Sequence, residues 1–598
     1  VYAPPPDPFY YLANFQRALA WLDARCADLL DDAERRFADG FADTPRAAQA
    51  LLVRMLMRKG PCFRVSRLDY AEIGCPLSAA APLVAAGWLD DAPALPFDAL
   101  APLVTKAELQ TLAANLRIET GPRPTRAQLV DTLSAANLAP RAWQHWYPDS
   151  ADAVLHLAVA PLCERLRLMF FGNLHQDWSE FVLADLGVFR YERVAFDDAS
   201  RAFRRRDDID AYLALRDCRD ALETVLAAPA APSNVASALD ATLDTLDRLA
   251  AQTHDNAWLR ARHDRLRYAT GQHAERLREP SIAWRAYADC AHPDARYRRI
   301  RVLEQLGRRD DALELAQQIA ASPANEEEAQ RATRTLGRLH GRRGKHGKHG
   351  GGAAPDRADA APAANEASLV IREIVLPAPD PAIRVEEAAR AWLSSADSPA
   401  FYVENTLINA LFGLLCWPAL FAPLPGAFFH PFQRGPADLH APDFVARRAA
   451  LFDACLAELD SDAYRDTIVR RHRDKAGTQS PFVAWGALTP ALLDLALDCL
   501  PAAHLRLWFA RLLADLKTNR SGLPDLVRFW PREHRYEFVE VKGPGDRLQD
   551  NQRRWLAYCV AHRMPVSVLQ VRWSEADPYA EDVHDAADAH REPAGAAR

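Results

Sequence analysis

Runs that read as β-strand are scarce in this 598-residue chain, and the clearest of them lie together near its C-terminal end. The turn-forming string Ser521-Gly522-Leu523-Pro524 leads through Asp525 into apolar Leu526-Val527. After the polar stretch Arg532 to Arg535 comes Tyr536-Glu537-Phe538-Val539-Glu540-Val541-Lys542, stopped by Gly543-Pro544-Gly545. Two such runs joined by a polar turn predict a β-hairpin. Elsewhere apolar residues recur at threes and fours, as in Phe15, Leu19, Leu22 and Cys26, or Leu51, Leu52, Met55 and Leu56, which is helical periodicity. The chain is therefore expected to be mostly α, with a sheet as a minor part. It is also too long for one hydrophobic core, so about two to four domains are expected.

Composition narrows the class. With 49% hydrophobic and 26% charged residues the chain has the make-up of an ordinary soluble protein. Its formal net charge of −7 does not announce a nucleic-acid binder, but phosphate neutralisation is local and a whole-chain sum hides patches. Ten cysteines are scattered without a C-x-x-C pair, which leaves zinc ribbons, thioredoxin-like motifs and disulfide frameworks unsupported; buried free thiols in a reducing cytosol are expected. Val1-Tyr2-Ala3-Pro4-Pro5-Pro6 is neither basic nor followed by an apolar core, so no secretory signal is expected. The apolar stretch Leu407 to Phe429 is broken by Asn409, Pro418, Pro423 and Pro425. It predicts a buried helix ending near Pro418, not a membrane span.

Residues 1–95 read as a helical domain. In 96–150, Thr105-Lys106-Ala107-Glu108 and Thr125-Arg126-Ala127-Gln128 each have the spacing of a capping box that opens a short helix. Leu109, Leu112, Leu116, Ile118, Leu129, Val130 and Leu133 would share one small core, with Gly121-Pro122-Arg123-Pro124 as the gap. This helix–gap–helix is either a plain helical hairpin or a unit that resembles a SAP module, with Lys106, Arg117, Arg123 and Arg126 available for DNA phosphates. Residues 151–340 read as a helical, TPR-like solenoid. Ile282 to Tyr287 and Asp311 to Ala316 look like parts of degenerate hairpins, and Gly307 sits in a turn. The arginines at 204, 205 and 206, and at 296, 298, 299 and 301, are either solvated helix faces or a DNA track. Residues 341–366, rich in Gly, Lys, His, Ala and Pro, read as a flexible linker, in which His346 and His349 do not make a metal site. Residues 367–585 form the domain with the hairpin, including a candidate strand from Leu369 to Leu376, and 586–598 a disordered tail.

In the hairpin, strand alternation puts Glu540 and Lys542 on one face, and pairing brings Asp525 beside them. Two converging carboxylates repel unless they are compensated. Lys542 offsets part of that charge, and a hard divalent cation, Mg²⁺ or Mn²⁺, offsets more, with the Val541 carbonyl as a further ligand. Phosphodiester hydrolysis builds negative charge on phosphoryl and departing oxygens, which cations held by Asp525 and Glu540 would neutralise while activating water. Lys542 would orient or polarise that water. The bare spacing also suits an ordinary charged surface hairpin, but a helix follows over Asp546 to Leu556, from which Gln552 reaches back to the site.

The string Gly522-Leu523-Pro524-Asp525-Leu526, then Val539-Glu540-Val541-Lys542-Gly543-Pro544-Gly545-Asp546-Arg547-Leu548, Gln552 and Trp555-Leu556, resembles the VRR-type nuclease domain of the PD-(D/E)xK superfamily. More narrowly it resembles the Fanconi-anaemia-associated nucleases in a bacterial form. Glu404, with Thr406, Leu411-Phe412-Gly413-Leu414-Leu415 and Trp417, is similar to the family's helix bearing another acidic metal ligand. Phe63 to Tyr70, with Ile73 and Gly74, is similar to its N-terminal DNA-binding part. The resemblance implies a multidomain protein with a C-terminal α/β nuclease domain. It implies a structure-selective, metal-dependent DNA nuclease with 5′-flap endonuclease and 5′→3′ exonuclease activity in interstrand-crosslink repair. Catalytic residues would be Lys542, Asp525, Glu540 and Gln552, and metal ligands Glu404, Asp525, Glu540 and Val541. DNA contacts would come from Lys106, Arg123, Arg126, Arg204, Arg205, Arg206 and Arg547. Branched or flapped DNA and other repair proteins are the expected partners, and cytoplasm at the nucleoid, or a nucleus in a eukaryote, the expected place. A four-way-junction nuclease and an inactive helical DNA-binding scaffold remain the alternatives.

Overall fold

The computed structural model describes residues 7–185, 187–197, 200–227, 232–343, 369–377 and 383–574. His346, His349 and the expected disordered tail lie outside them. The chain forms two compact units, one of residues 1–315 with 423–434, the other of 316–422 with 435–598. Both units interrupt the boundaries expected from sequence, for reasons visible in their packing.

Unit one is helical as expected, opening with Tyr10–Cys26, Asp32–Asp43 and Arg46–Leu56, but two short strands were missed. β1 (Cys62–Arg64) pairs antiparallel with β2 (Val154–His156), so the stretch between them is closed at its base by main-chain hydrogen bonds. Inside it, helices Lys106–Asn115 and Arg126–Ala135 carry the reciprocal capping boxes that their sequences predict, Thr105 with Glu108 and Thr125 with Gln128. The anticipated core residues do pack together, joined by Leu95, Phe97, Trp143 and Trp146. Glu108 also accepts Arg64 Nη1 at 2.7 Å, while Arg64 Nε donates to Asp152 Oδ2 at 2.7 Å. The FRVSR string thus rivets the base of this insert.

The basic residues divide by environment. Lys106, Arg117, Arg123, Arg204 and Arg205 are exposed. Arg126 spends one arm on the Ala101 carbonyl at 2.6 Å. Arg206 is a correction. It donates to Glu34 Oε2 at 2.5 Å and Asp31 Oδ2 at 3.2 Å, and those two acids form the capping box of helix Asp32–Asp43. Glu34 is 0% exposed and also takes Arg165 Nε at 2.7 Å. A buried carboxylate needs such partners, so Arg206 is internal wiring, not a phosphate contact. Arg298 likewise reaches Glu275 at 3.3 Å, and Arg299 lies over the Trp284 ring.

Helices run from Arg206–Ala227 to Arg309–Ala321, with the TPR-like strings inside Pro280–Ala288 and Arg309–Ala321 and left-handed Gly307 (φ +75°) before the latter. Residues 423–434, assigned by sequence to the C-terminal domain, belong to unit one. Phe429 meets Trp258, His430 meets Phe171, and Phe432 meets Phe181 at ring distances of 5.5, 5.1 and 4.5 Å. Burial keeps His430 neutral, pushing its pKa down to about 3.

Unit two holds a five-stranded mixed sheet in the order β3-β7-β6-β5-β4, where β3 is Val370–Pro377, β4 Ala400–Tyr402, β5 Leu526–Trp530, β6 Arg535–Lys542 and β7 Val566–Ser574. β5 and β6 form the expected hairpin, and β6 runs parallel to β7. Helix Glu326–Arg343, expected to close the solenoid, packs in this unit instead. Arg511 grips Glu326 at 2.9 and 2.6 Å, and Arg554 reaches Gln330 at 2.7 Å. Every residue of helix Leu407–Leu415 is buried. Among the described residues no helix is long and apolar enough to cross a membrane. All ten cysteines are free, and Cys75 is exposed against expectation. Replacing Arg206 by Ala should lower stability by about 2 kcal/mol, the worth of hydrogen bonds to a buried charge, whereas Arg204→Ala should be near neutral. Denaturant unfolding of the two variants checks this.

Candidate functional site

Strand ends build the site. Leu526 at the start of β5 faces Tyr402 at the end of β4 on one side and Val539 of β6 on the other. One residue beyond, Asp525 therefore lies between Val403, whose N–H donates to the Asp525 carbonyl at 2.8 Å, and Glu540. The Asp525 carboxylate reaches across the hairpin, where Oδ2 accepts the Val541 N–H at 2.8 Å. This hydrogen bond places the Val541 main chain at the same point.

Glu540 is 0% exposed, and neither of its carboxylate oxygens has a well-directed hydrogen bond. Its ion-pair neighbour is the Lys542 ammonium, 2.8 Å from Oε1 on the face that strand alternation predicts. Lys542 in turn donates to Gln552 Oε1 at 3.1 Å. The same oxygen accepts the Gln549 N–H at 2.8 Å, closing the cap of helix Asp550–Ala561. That helix is tied down by Trp555, whose indole N–H donates to the Ser521 carbonyl at 3.1 Å. Gly522 lets it approach: at φ +88°, an added Cβ would lie 2.8 Å from the Asn551 main chain.

Burial raises Glu540 to a pKa of about 8, helped by the charge of Asp525 and opposed by Lys542. Asp525 is pushed up to about 6, first by burial, then by the charges of Glu404 and Glu386, against the Val541 N–H and Lys542. Glu386, on helix Val385–Leu393, was missed by sequence reasoning. Its signal is weak: an acid in the first turn of a short amphipathic helix, with no spacing that ties it to the hairpin.

Glu404 departs from expectation in two ways. It lies in the turn before helix Leu407–Leu415, not on it. Its carboxylate is engaged by the Tyr402 hydroxyl at one oxygen and by Asn405 Nδ2 at the other, the latter at 3.3 Å. Among the described residues, no group of three Asp, Glu, His or Cys side chains is already arranged around one point; Glu404 is nevertheless near enough for its charge to raise the pKa of both Asp525 and Glu540. Arg547 is exposed between β6 and helix Asp550–Ala561.

The residues fit a cation. When ionised, a fully buried carboxylate with only the Lys542 ammonium beside it and a second carboxylate opposite leave net negative charge facing inward, which a hard divalent ion would satisfy.

The VRR-NUC domain family matches residues 460–573, and the family described as "FAN1, HTH domain" matches residues 9–90. β5, β6 and β7, with the acidic pair and lysine, thus lie within a VRR-NUC domain, and a VRR-NUC nuclease is of a class that depends on divalent metal. The chain is 48% identical to the Fanconi-associated nuclease 1 homolog of Pseudomonas aeruginosa over 574 residues, covering 95% of this chain and 96% of that one. It is 24% identical to the Arabidopsis thaliana homolog, over 95% of this chain and 67% of that protein. A crystal structure of paFAN1 bound to 2-nucleotide 5′-flap DNA with a gap aligns with TM-score 0.85 at 47% identity, over 96% of this chain and 100% of the other. This chain belongs to the Fanconi-associated nuclease family.

The raised carboxylates set a pH dependence. Free carboxylates ionise near pH 4, so between about pH 4 and 8 the folded, metal-free protein holds protons that the unfolded chain has lost. This contribution to stability is full below the unfolded pKa values and is lost as pH rises through about 6 for Asp525 and about 8 for Glu540. Melting of the metal-free protein should therefore weaken over that window, and Glu540→Gln should flatten its upper part. Identical pH profiles for wild type and variant would contradict the assignment.

Proposed function

We propose that the chain cuts DNA at 5′ flaps and digests 5′→3′, using Mg²⁺ or Mn²⁺ held by Asp525, Glu540, the Val541 carbonyl and Glu404. The buried carboxylate of Glu540, paired with Lys542 alone and set beside Asp525, carries this reading. It gains support from the likeness to paFAN1 bound to 5′-flap DNA. The divalent ion supplies charge neutralisation for the phosphoryl group and a lowered pKa for water. The protein's own groups do the rest. Lys542, steadied by Gln552, offers a point charge to the reacting phosphate and orients the incoming water. Exposed Lys106, Arg123, Arg204, Arg205 and Arg547 contact DNA phosphates, and Arg126 does so with the arm it has left. The 96–150 insert serves as a SAP-like duplex grip, and the activity belongs to the repair of interstrand crosslinks.

Asp525→Ala and Glu540→Ala should each reduce Mn²⁺-dependent cleavage of a 5′-flap substrate by more than roughly 1,000-fold while sparing DNA affinity. Undiminished cleavage by both would remove the site. Comparing 5′-flap, 3′-flap, four-way and single-stranded substrates tests the selectivity. Replacing Arg204 and Arg205 together by Ala should make DNA binding less salt-sensitive, by roughly one unit of log–log slope for each phosphate no longer neutralised. An unchanged slope would take both residues off the DNA.

A further inference from the structure

β4 pairing and the Val403 N–H on the Asp525 carbonyl bring the main chain of the Glu404 turn beside Asp525, but Glu404 itself lies in no helix or strand that would aim its carboxylate. The next residue supplies that constraint. Asn405 is left-handed, φ +52°, a conformation that asparagine tolerates better than most residues. Both ends of its amide are used. Nδ2 donates to Glu404 Oε1 at 3.3 Å, and Oδ1 accepts the N–H of Leu523 at 3.1 Å, two residues before Asp525. Its main chain is held by Asn409, which is buried on helix Leu407–Leu415 and whose Nδ2 donates to the Asn405 carbonyl at 2.7 Å and to the Arg520 carbonyl at 2.9 Å. The turn that carries Glu404 and the loop that delivers Asp525 are thereby stitched together by a pair of asparagines. Each Glu404 oxygen keeps a lone pair beyond the bonds from Asn405 and Tyr402, so the carboxylate is oriented without being used up.

We infer that Asn405 is a positioning residue of the metal site: its amide sets the separation of the Glu404 and Asp525 carboxylates, so that a divalent cation meets both at once. This rests on Glu404 being a metal ligand. Neither a hydrocarbon nor a purely donating side chain at this place can hold Glu404 and the Leu523 N–H together. Partners that orient a ligand are worth roughly 10- to 100-fold in metal affinity.

The test is Mn²⁺ binding to the full chain without DNA, followed by the electron paramagnetic resonance signal of free Mn²⁺. Wild type is compared with Asn405→Gly, Glu404→Gln and the double variant, and melting in chelator serves as the fold control. Glycine accepts the left-handed backbone and removes both amide hydrogen bonds. Asn405→Gly should bind Mn²⁺ roughly 10-fold more weakly with little change in melting, and excess Mn²⁺ should restore its flap cleavage. Because Asn405 acts through Glu404, the double variant should bind no worse than Glu404→Gln alone. Wild-type affinity in Asn405→Gly, or fully additive losses in the double variant, would overturn the inference and leave the ligand assignment standing. Wild-type affinity in Glu404→Gln would remove the ligand assignment and the inference with it.

Discussion

A carboxylate enclosed in protein with neither oxygen well hydrogen-bonded is unfavourable, and Glu540 is one. Transfer of a charge from water is offset only by an opposite charge or by proton uptake. Lys542 offsets part, and a pKa near 8 means that a bound proton offsets more while no cation is present. The surrounding arrangement keeps that unbalanced charge concentrated at one point. The ends of β4, β5 and β6 meet there, the Val541 N–H holds Asp525 opposite, and Gln552 prevents the lysine from turning away to solvent. A site assembled in this way is strained electrostatically rather than sterically, and a divalent ion placed there would relieve it.

What the sequence made legible was local. The hairpin was visible through a two-residue period and its turn residues, and both capping boxes through a spacing of three. Gln552 could be placed because a helix starts a few residues after the strand that it serves. The misses were contacts between residues far apart in the chain. β1 finds β2 across the entire insert, and Glu34 finds Arg206. The Glu404 turn is shaped by β4 pairing with a strand much later in sequence. An apolar run as continuous as Leu407–Leu415 looks as though its helix should begin earlier, yet the sheet takes the preceding residues first. Glu386 had no signal beyond its own helix.

Arginine gives the sharpest lesson about reading charge from a string. Arg204, Arg205 and Arg206 are consecutive, but a helix begins at the third, and its first turn aims that side chain at Asp31 and the buried Glu34. The same residue type serves as rivet at 64, as clasp at 511 and as solvent-facing cation at 205. Backbone direction decides which, and backbone direction is settled by tertiary pairing.

The aromatic segment 423–434 bears on how the molecule comes to exist during translation. Unit one lacks part of its interior until residue 434 has left the ribosome, by which time the first strands and helices of unit two are already made. The two units therefore cannot mature strictly one after the other, and a fragment beginning at residue 369 would carry Phe429, His430 and Phe432 without the unit-one rings that cover them. Cutting the gene at the obvious low-complexity stretch would yield two sticky halves rather than two working pieces.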